Sequence, residues 1–105
     1  MLVLNAFSFN MVSALSGNIS FEEMSPDNVV NILKGREIKS AVGHGDTAQV
    51  FSSFLGIEVP HERRSVNLQK GDEAILGQYK GPRLPEGATS LPEGSRITWY
   101  LIKLT

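Results

Sequence analysis

The chain opens on a nearly continuous apolar run. Leu2, Val3, Leu4, Ala6 and Phe7, interrupted only by Asn5, predict a buried strand over Met1 to Phe7. Ser8 stands where a cap would start a short helix through Leu15, and Gly17 where that helix would end. Ile19 and Phe21 alternate with Ser20 and Glu22, which predicts a half-buried strand over Ile19 to Met24. Ser25-Pro26-Asp27 is a helix start: a cap, a proline at the first helical position and an acid in the first turn. Val29, Val30 and Leu33 form the apolar face of that helix, and Gly35 stops it. Glu37 to Val42 alternates as a strand. Val50, Phe51, Phe54 and Leu55 then fall at helical spacing over Thr47 to Leu55, with Gly56 as the stop.

The second half is less regular. Val59 to Arg64 reads as a surface loop, with His61 among polar neighbours as a solvated loop residue and Arg63 as a surface charge. Ser65 to Gln69 and Glu73 to Tyr79 are strand candidates joined by Lys70-Gly71-Asp72 as a hairpin turn. Gly77, inside the second of them, predicts a bulge or a close backbone approach. Gly81 to Gly94 carries three of the five prolines and the sequence Leu-Pro-Glu-Gly twice, so it reads as a constrained loop rather than a repeat architecture. Arg96 to Leu104 closes the chain as a strand, with Trp99 in the core or at a dimer interface. Together these elements predict a single small α/β domain, a mixed β-sheet of about five strands flanked by short helices, spanning residues 1–105.

Composition narrows the function classes. With 105 residues the chain makes one compact domain of modest stability, which a homodimer would reinforce. There is no cysteine, hence no disulfide scaffold and no thiolate site, which suits a reducing cytoplasm. The apolar N-terminus lacks a basic region before it and does not read as a signal peptide. No stretch approaches the roughly 20 apolar residues of a membrane span. A net charge of -1 without a basic run argues against duplex DNA, which requires many neutralised phosphates.

The candidate chemistry centres on Gly43-His44-Gly45-Asp46-Thr47. Strand, glycine turn and helix put His44 at the carboxyl end of a strand and just before a helix N-terminus. Ligands of open α/β sheets bind at that position, and the free amides of a helix's first turn attract phosphate. A histidine there can exchange a proton near neutral pH. The competing reading is a turn residue whose ring bonds to backbone. Ser8 and Asn10 are capping candidates first and ligand contacts second. No P-loop, Rossmann fingerprint or nucleophile elbow is present. Two histidines without spaced carboxylates make no zinc site, so neither metal nor cofactor is expected.

Four motifs, in order, resemble a known family. They are Asn5-Ala6-Phe7-Ser8-Phe9-Asn10-Met11, then Gly43-His44 with Thr47, then Gly71-Asp72-Glu73-Ala74, then Arg83-Leu84-Pro85-Glu86-Gly87. The chain thereby resembles the viral anti-CRISPR ring nucleases that counter type III CRISPR defence, and their CRISPR-associated host relatives. The resemblance implies a homodimer that binds cyclic tetra-adenylate in a cleft at its interface. It implies metal-free cutting of that ring into linear di-adenylates ending in a 2′,3′-cyclic phosphate. It implies His44, Arg83 and Glu86 as catalytic residues, and Asn5 and Ser8 as ligand contacts; Asn10, Gly43, Gly45 and Thr47, in or beside the same motifs, are the further candidate ligand contacts. It implies action in the cytoplasm of a prokaryotic cell, or of an infected host cell if the protein is viral. The chain departs from the viral pattern in having Gly45 directly after the histidine, then Asp46. Only Ala88 to Ser95 stands where those members carry a charged helical insert. The alternative is a non-catalytic sponge for the cyclic nucleotide, or a protein-interaction module.

Overall fold

The computed structural model describes residues 1–85, 87–88 and 90–105. Five strands form one mixed sheet: β1 (Leu2–Leu4), β2 (Ile19–Met24), β3 (Lys39–Ala41), β4 (Glu73–Lys80) and β5 (Arg96–Leu104), in the order β2-β5-β4-β1-β3. Strand β1 is interior and runs parallel to the edge strand β3 on one side and to the central strand β4 on the other. Strand β5 is antiparallel to both β4 and β2. The three parallel strands therefore all deliver their carboxyl ends to the same edge of the sheet. Asn5 follows β1, the His44 turn follows β3, and the Gly81–Gly94 loop follows β4.

Two helices cover one face of the sheet. Helix α1 (Pro26–Leu33) starts as its sequence dictates: Ser25 Oγ accepts from the Asn28 amide at 3.2 Å. Helix α2 (Gly45–Leu55) ends at Gly56, which takes the left-handed conformation open to glycine at φ 71°. Val29 and Leu33 of α1 pack with Ala48, Phe51 and Leu55 of α2 on Val3, Ile75 and Trp99 of the sheet. Cross-strand register explains this layer, since Val3 pairs with Ile75 and Gly77 with Trp99, so all four share the helix-facing side. Gly77 shows no bulge. It is a close approach, because a Cβ there would lie 2.5 Å from Trp99 Cζ3 and 2.7 Å from Phe51 Cζ. The two rings pack with centroids 4.9 Å apart over the space that glycine leaves.

Two expected elements are absent. The segment from Ser8 to Leu15 forms only a single 3-10 turn, Phe9–Met11, and the Ser8 side chain makes no capping bond. Its backbone is committed elsewhere: Leu68 N donates to Met11 O and Ser13 N to Leu68 O, and just beyond the segment Asn18 exchanges two bonds with Thr105. Ser65 to Gln69 is not a strand, and only Leu68 makes an isolated bridge, to Val12. Strand β4 already has β1 and β5 on its two edges, so no edge is left for a hairpin partner. Lys70-Gly71-Asp72 still turns the chain, with Asp72 Oδ2 accepting from Gln69 N at 2.8 Å and Gly71 N bonded to Leu104 O. These segments lie over part of the face opposite the helices, where Leu4, Leu68, Ala74, Ile102 and Leu104 are buried. The rest of that face stays open around Phe21, which is 74% exposed and meets Tyr100 edge to face.

Candidate functional site

The carboxyl edge of the parallel strands holds a cleft of about 690 Å³ lined by His44, Asp46, Thr47, Arg83, Leu84 and Pro85. Its floor begins in β3. Ser40 is buried, and its Oγ accepts from the Val42 amide at 3.2 Å as the chain leaves the sheet. The helix then starts earlier than its apolar spacing predicts, at Gly45 instead of Thr47, because apolar periodicity cannot register the polar first turn. His44 is consequently the N-cap itself, with extended backbone at φ -124°. Its carbonyl accepts the first helical bond from Ala48 N at 3.0 Å, while its side chain makes no capping bond and its ring remains exposed. The amides of the first turn have no partner within the helix and face anions favourably.

Gly43 and Gly45 have no left-handed φ, so the turn is not the tight glycine turn expected. A Cβ at Gly45 would meet His61 Nδ1 at 3.5 Å, an ordinary contact, and one at Gly43 would meet Arg63 Cγ at 3.5 Å. His61 and Arg63 are the neighbours that sequence reasoning missed. The Gly43 carbonyl accepts from Arg63 Nε at 3.2 Å and pairs with His61 Nε2 at 3.1 Å. A carbonyl can only accept, so Nε2 is the protonated nitrogen of that ring. His61 is exposed, as a loop residue should be, yet it braces the turn that carries His44. Ser52 secures the approach: its Oγ accepts from Val59 N at 2.9 Å and lies 2.8 Å from Ala48 O, tying the segment that leads to His61 onto α2. No local signal links positions 43, 61 and 63. Their meeting follows from an isolated parallel bridge between Val42 and His61.

The other predicted ligand contacts divide. Thr47 lines the main cleft and also a neighbouring cavity of about 490 Å³, which contains Asn5, Phe7, Gln78 and Tyr79. Asn5 is thus brought beside the site. Gly45 lines a different cavity, with Glu58 and His61 on the far side of Asp46. Gly43 takes part through its braced carbonyl. Ser8 and Asn10 are exposed and line neither the main cleft nor the Asn5 cavity, because the unformed helix leaves them on the outer loop. Glu86 lies outside the described residues. Among the described residues no three His, Cys, Asp or Glu side chains gather into a metal-binding group. No helix among them is long and apolar enough to cross a membrane.

Comparison with known proteins then fixes the lineage. Residues 1–97 match the STIV B116-like family. The chain belongs to that family. Two relatives similar to the chain in sequence are viral proteins. It is 37% identical over 68 residues to the uncharacterized protein ORF117 of Acidianus two-tailed virus, a match covering 63% of this chain and 57% of that protein. It is 27% identical over 85 residues to uncharacterized protein 26 of Sulfolobus islandicus filamentous virus, covering 81% of this chain and 71% of the relative. The fold is that of B116 of Sulfolobus turreted icosahedral virus, with a TM-score of 0.82 over 97% of each chain at 24% identity. Viral relatives fit the expectation of a viral protein, and the B116 fold is the small α/β domain expected from the apolar pattern.

Proposed function

We propose that this STIV B116-like protein is a metal-independent ring nuclease that binds and cleaves cyclic tetra-adenylate. The observation that carries the reading is the convergence of His44 and Arg83 on one cleft at the N-terminus of α2. The two residues come from different connections of the sheet and match the family motifs that resemblance assigns to catalysis. A ring of RNA carries its own nucleophile, the 2′-hydroxyl beside each phosphate. The protein's work is then to hold that oxygen in line with the leaving 5′-oxygen, an orientation effect. Arg83 and the first-turn amides of α2 stabilise charge on the phosphate oxygens. The 2′-hydroxyl gives up its proton to solvent as the P–O2′ bond forms, and His44 as imidazolium gives its proton to the 5′-oxygen as the P–O5′ bond breaks. Two such cuts yield di-adenylates with a 2′,3′-cyclic phosphate and a 5′-hydroxyl.

A two-fold homodimer suits a four-fold ring cut on opposite sides. The open sheet face supports it: Phe7, Ile19, Phe21, Leu76, Tyr100 and Ile102 form an apolar patch, and Phe7 and Leu76 also line the cavity beside the cleft. A second copy seated on that patch would lie next to the first copy's ligand. The cytoplasm is the proposed location, where the cyclic nucleotide would be met.

The test is incubation of the protein with labelled cyclic tetra-adenylate in excess chelator, with products read by mass spectrometry. Fragments ending in 2′,3′-cyclic phosphate, and their loss in His44→Ala, are expected. A ring retained intact identifies a sponge. A ring that is ignored identifies an interaction module.

A further inference from the structure

We propose that Asp46 is a positioning residue, tying the loop that carries Arg83 onto the helix that carries His44. The inference rests on the ring-nuclease reading of the cleft for its functional consequence, but the tie itself is a property of the free protein.

The loop leaves the sheet after Lys80 and returns at Arg96. Its base is held by its own strands: Tyr79 Oη donates to Pro82 O, and a side chain at Gly81 would collide with Ser95. Each Leu-Pro-Glu-Gly copy closes on a backbone bond, Ala88 N to Pro85 O at 3.0 Å and Ser95 N to Pro92 O at 3.1 Å. The closing glycines, Gly87 and Gly94, both sit at left-handed φ, 77° and 80°. The two copies thus share the closing bond and the left-handed glycine. Only the first turn is anchored to another element among the described residues. Among the described residues, the single hydrogen bond from this loop to α2 runs from Gly87 N to Asp46 Oδ1 at 3.0 Å.

Asp46 is the second residue of α2, two positions after the His44 cap. It lines the same cleft as His44 and Arg83. An acid in the first turn is favoured by the helix dipole, so its oxygen is a charged acceptor for the Gly87 amide. An acid in a cleft for phosphate would otherwise repel the ligand. Its presence is intelligible when it serves the loop, at the expense of some repulsion that Arg83 and the first-turn amides offset. Arg83 precedes Gly87 on a segment with no other fastening to α2 among the described residues, so release of Gly87 frees Arg83 from its place in the cleft with His44. The second copy supplies the contrast, since Glu93 and Gly94 have no such partner among the described residues.

The experiment reads the Gly87 amide directly. Hydrogen exchange by NMR on the free, full-length protein should show Gly87 exchanging roughly 3- to 10-fold faster in Asp46→Ala, the factor for losing one modest hydrogen bond. Asp46→Asn, which keeps an acceptor oxygen, should stay near wild type. Asp27→Ala removes the acid from the first turn of α1 and should leave Gly87 untouched. With cyclic tetra-adenylate, Asp46→Ala should lower kcat by a similar factor with less change in KM, and Asp46→Asn should restore it. If Asp46→Ala does not fold, Asp46→Glu keeps the charge and displaces the oxygen by one methylene, and should show the same faster exchange. Unchanged Gly87 exchange in the folded variant overturns the proposal. A wild-type protein that leaves the ring intact overturns the nuclease reading instead, and the exchange result stands apart from it.

Discussion

Substituting Gly77 by alanine probes the packing that holds α2, and with it the His44 cap, against the sheet. The new methyl carbon would lie 2.5 Å from Trp99 Cζ3, 2.7 Å from Phe51 Cζ and 2.9 Å from Phe51 Cε2. Real Cβ atoms do not approach so closely, so both rings must shift. Trp99 and Phe51 are 1% and 0% exposed, which leaves them no solvent to move into. Overpacking of this kind costs about 1–3 kcal/mol. Gly77 does not have a left-handed φ, so alanine pays no backbone penalty there and stiffens the unfolded chain by about 0.4–1 kcal/mol in its favour. With two rings in the way the upper part of the overpacking range applies, and the net loss expected is about 2 kcal/mol. For a domain of this size that lowers Tm by roughly 8–16 °C, from about 4–8 °C per kcal/mol. Urea titration should show a lower midpoint with an unchanged slope. Phe51→Leu offers a second check, because the smaller side chain makes room for the methyl. The double variant should then lose less than the two singles added. Gly77→Ala with wild-type stability, or strict additivity with Phe51→Leu, would refute the steric account.

The remaining predictions concern the cleft and the open face. His44→Ala should lower single-turnover ring cleavage by about 10²–10⁴-fold while ring binding survives, as measured by quenched-flow and by equilibrium titration. Arg83→Ala should reduce cleavage more than Arg63→Ala, because Arg83 lines the cleft while Arg63 acts through the Gly43 carbonyl; equal and small effects would make Arg83 an ordinary solvated side chain. A ring lacking its 2′-hydroxyls should resist cutting but still bind, and a plain 3′-phosphate as the first product from the natural ring would make water the nucleophile. Phe21→Glu should shift light scattering from dimer to monomer, since it places a charge in the apolar patch; a wild-type protein that is monomeric and fully active would sink the dimer.

Local chemistry determined much of this protein without help from the fold. The Ser25-Pro26-Asp27 start of α1, the Gly56 stop of α2, and β2 over Ile19–Met24 occur where the sequence puts them. Each depends on contacts within a few residues: a cap bond, a left-handed glycine, an alternation. His44 was legible for the same reason, as the residue between a strand and a helix, and its motif with Arg83 pointed to a viral family before any coordinates. Tertiary structure decided the rest. Ser65 to Gln69 has strand composition, but composition cannot know that β4 has both edges filled. The Ser8 helix loses because pairing of Met11 and Ser13 with Leu68 satisfies the same backbone groups. His61 and Arg63 looked like surface charges because nothing near them in the chain shows that the Gly43 carbonyl is their partner. Asp46 carried no role in the sequence beyond its place in the His44 motif, and only the folded loop brings Gly87 within reach of it. The sequence named the cap that carries the imidazole, whereas the bonds that brace this cap and bring Arg83 to face it join residues distant in the chain, and no local pattern encodes them.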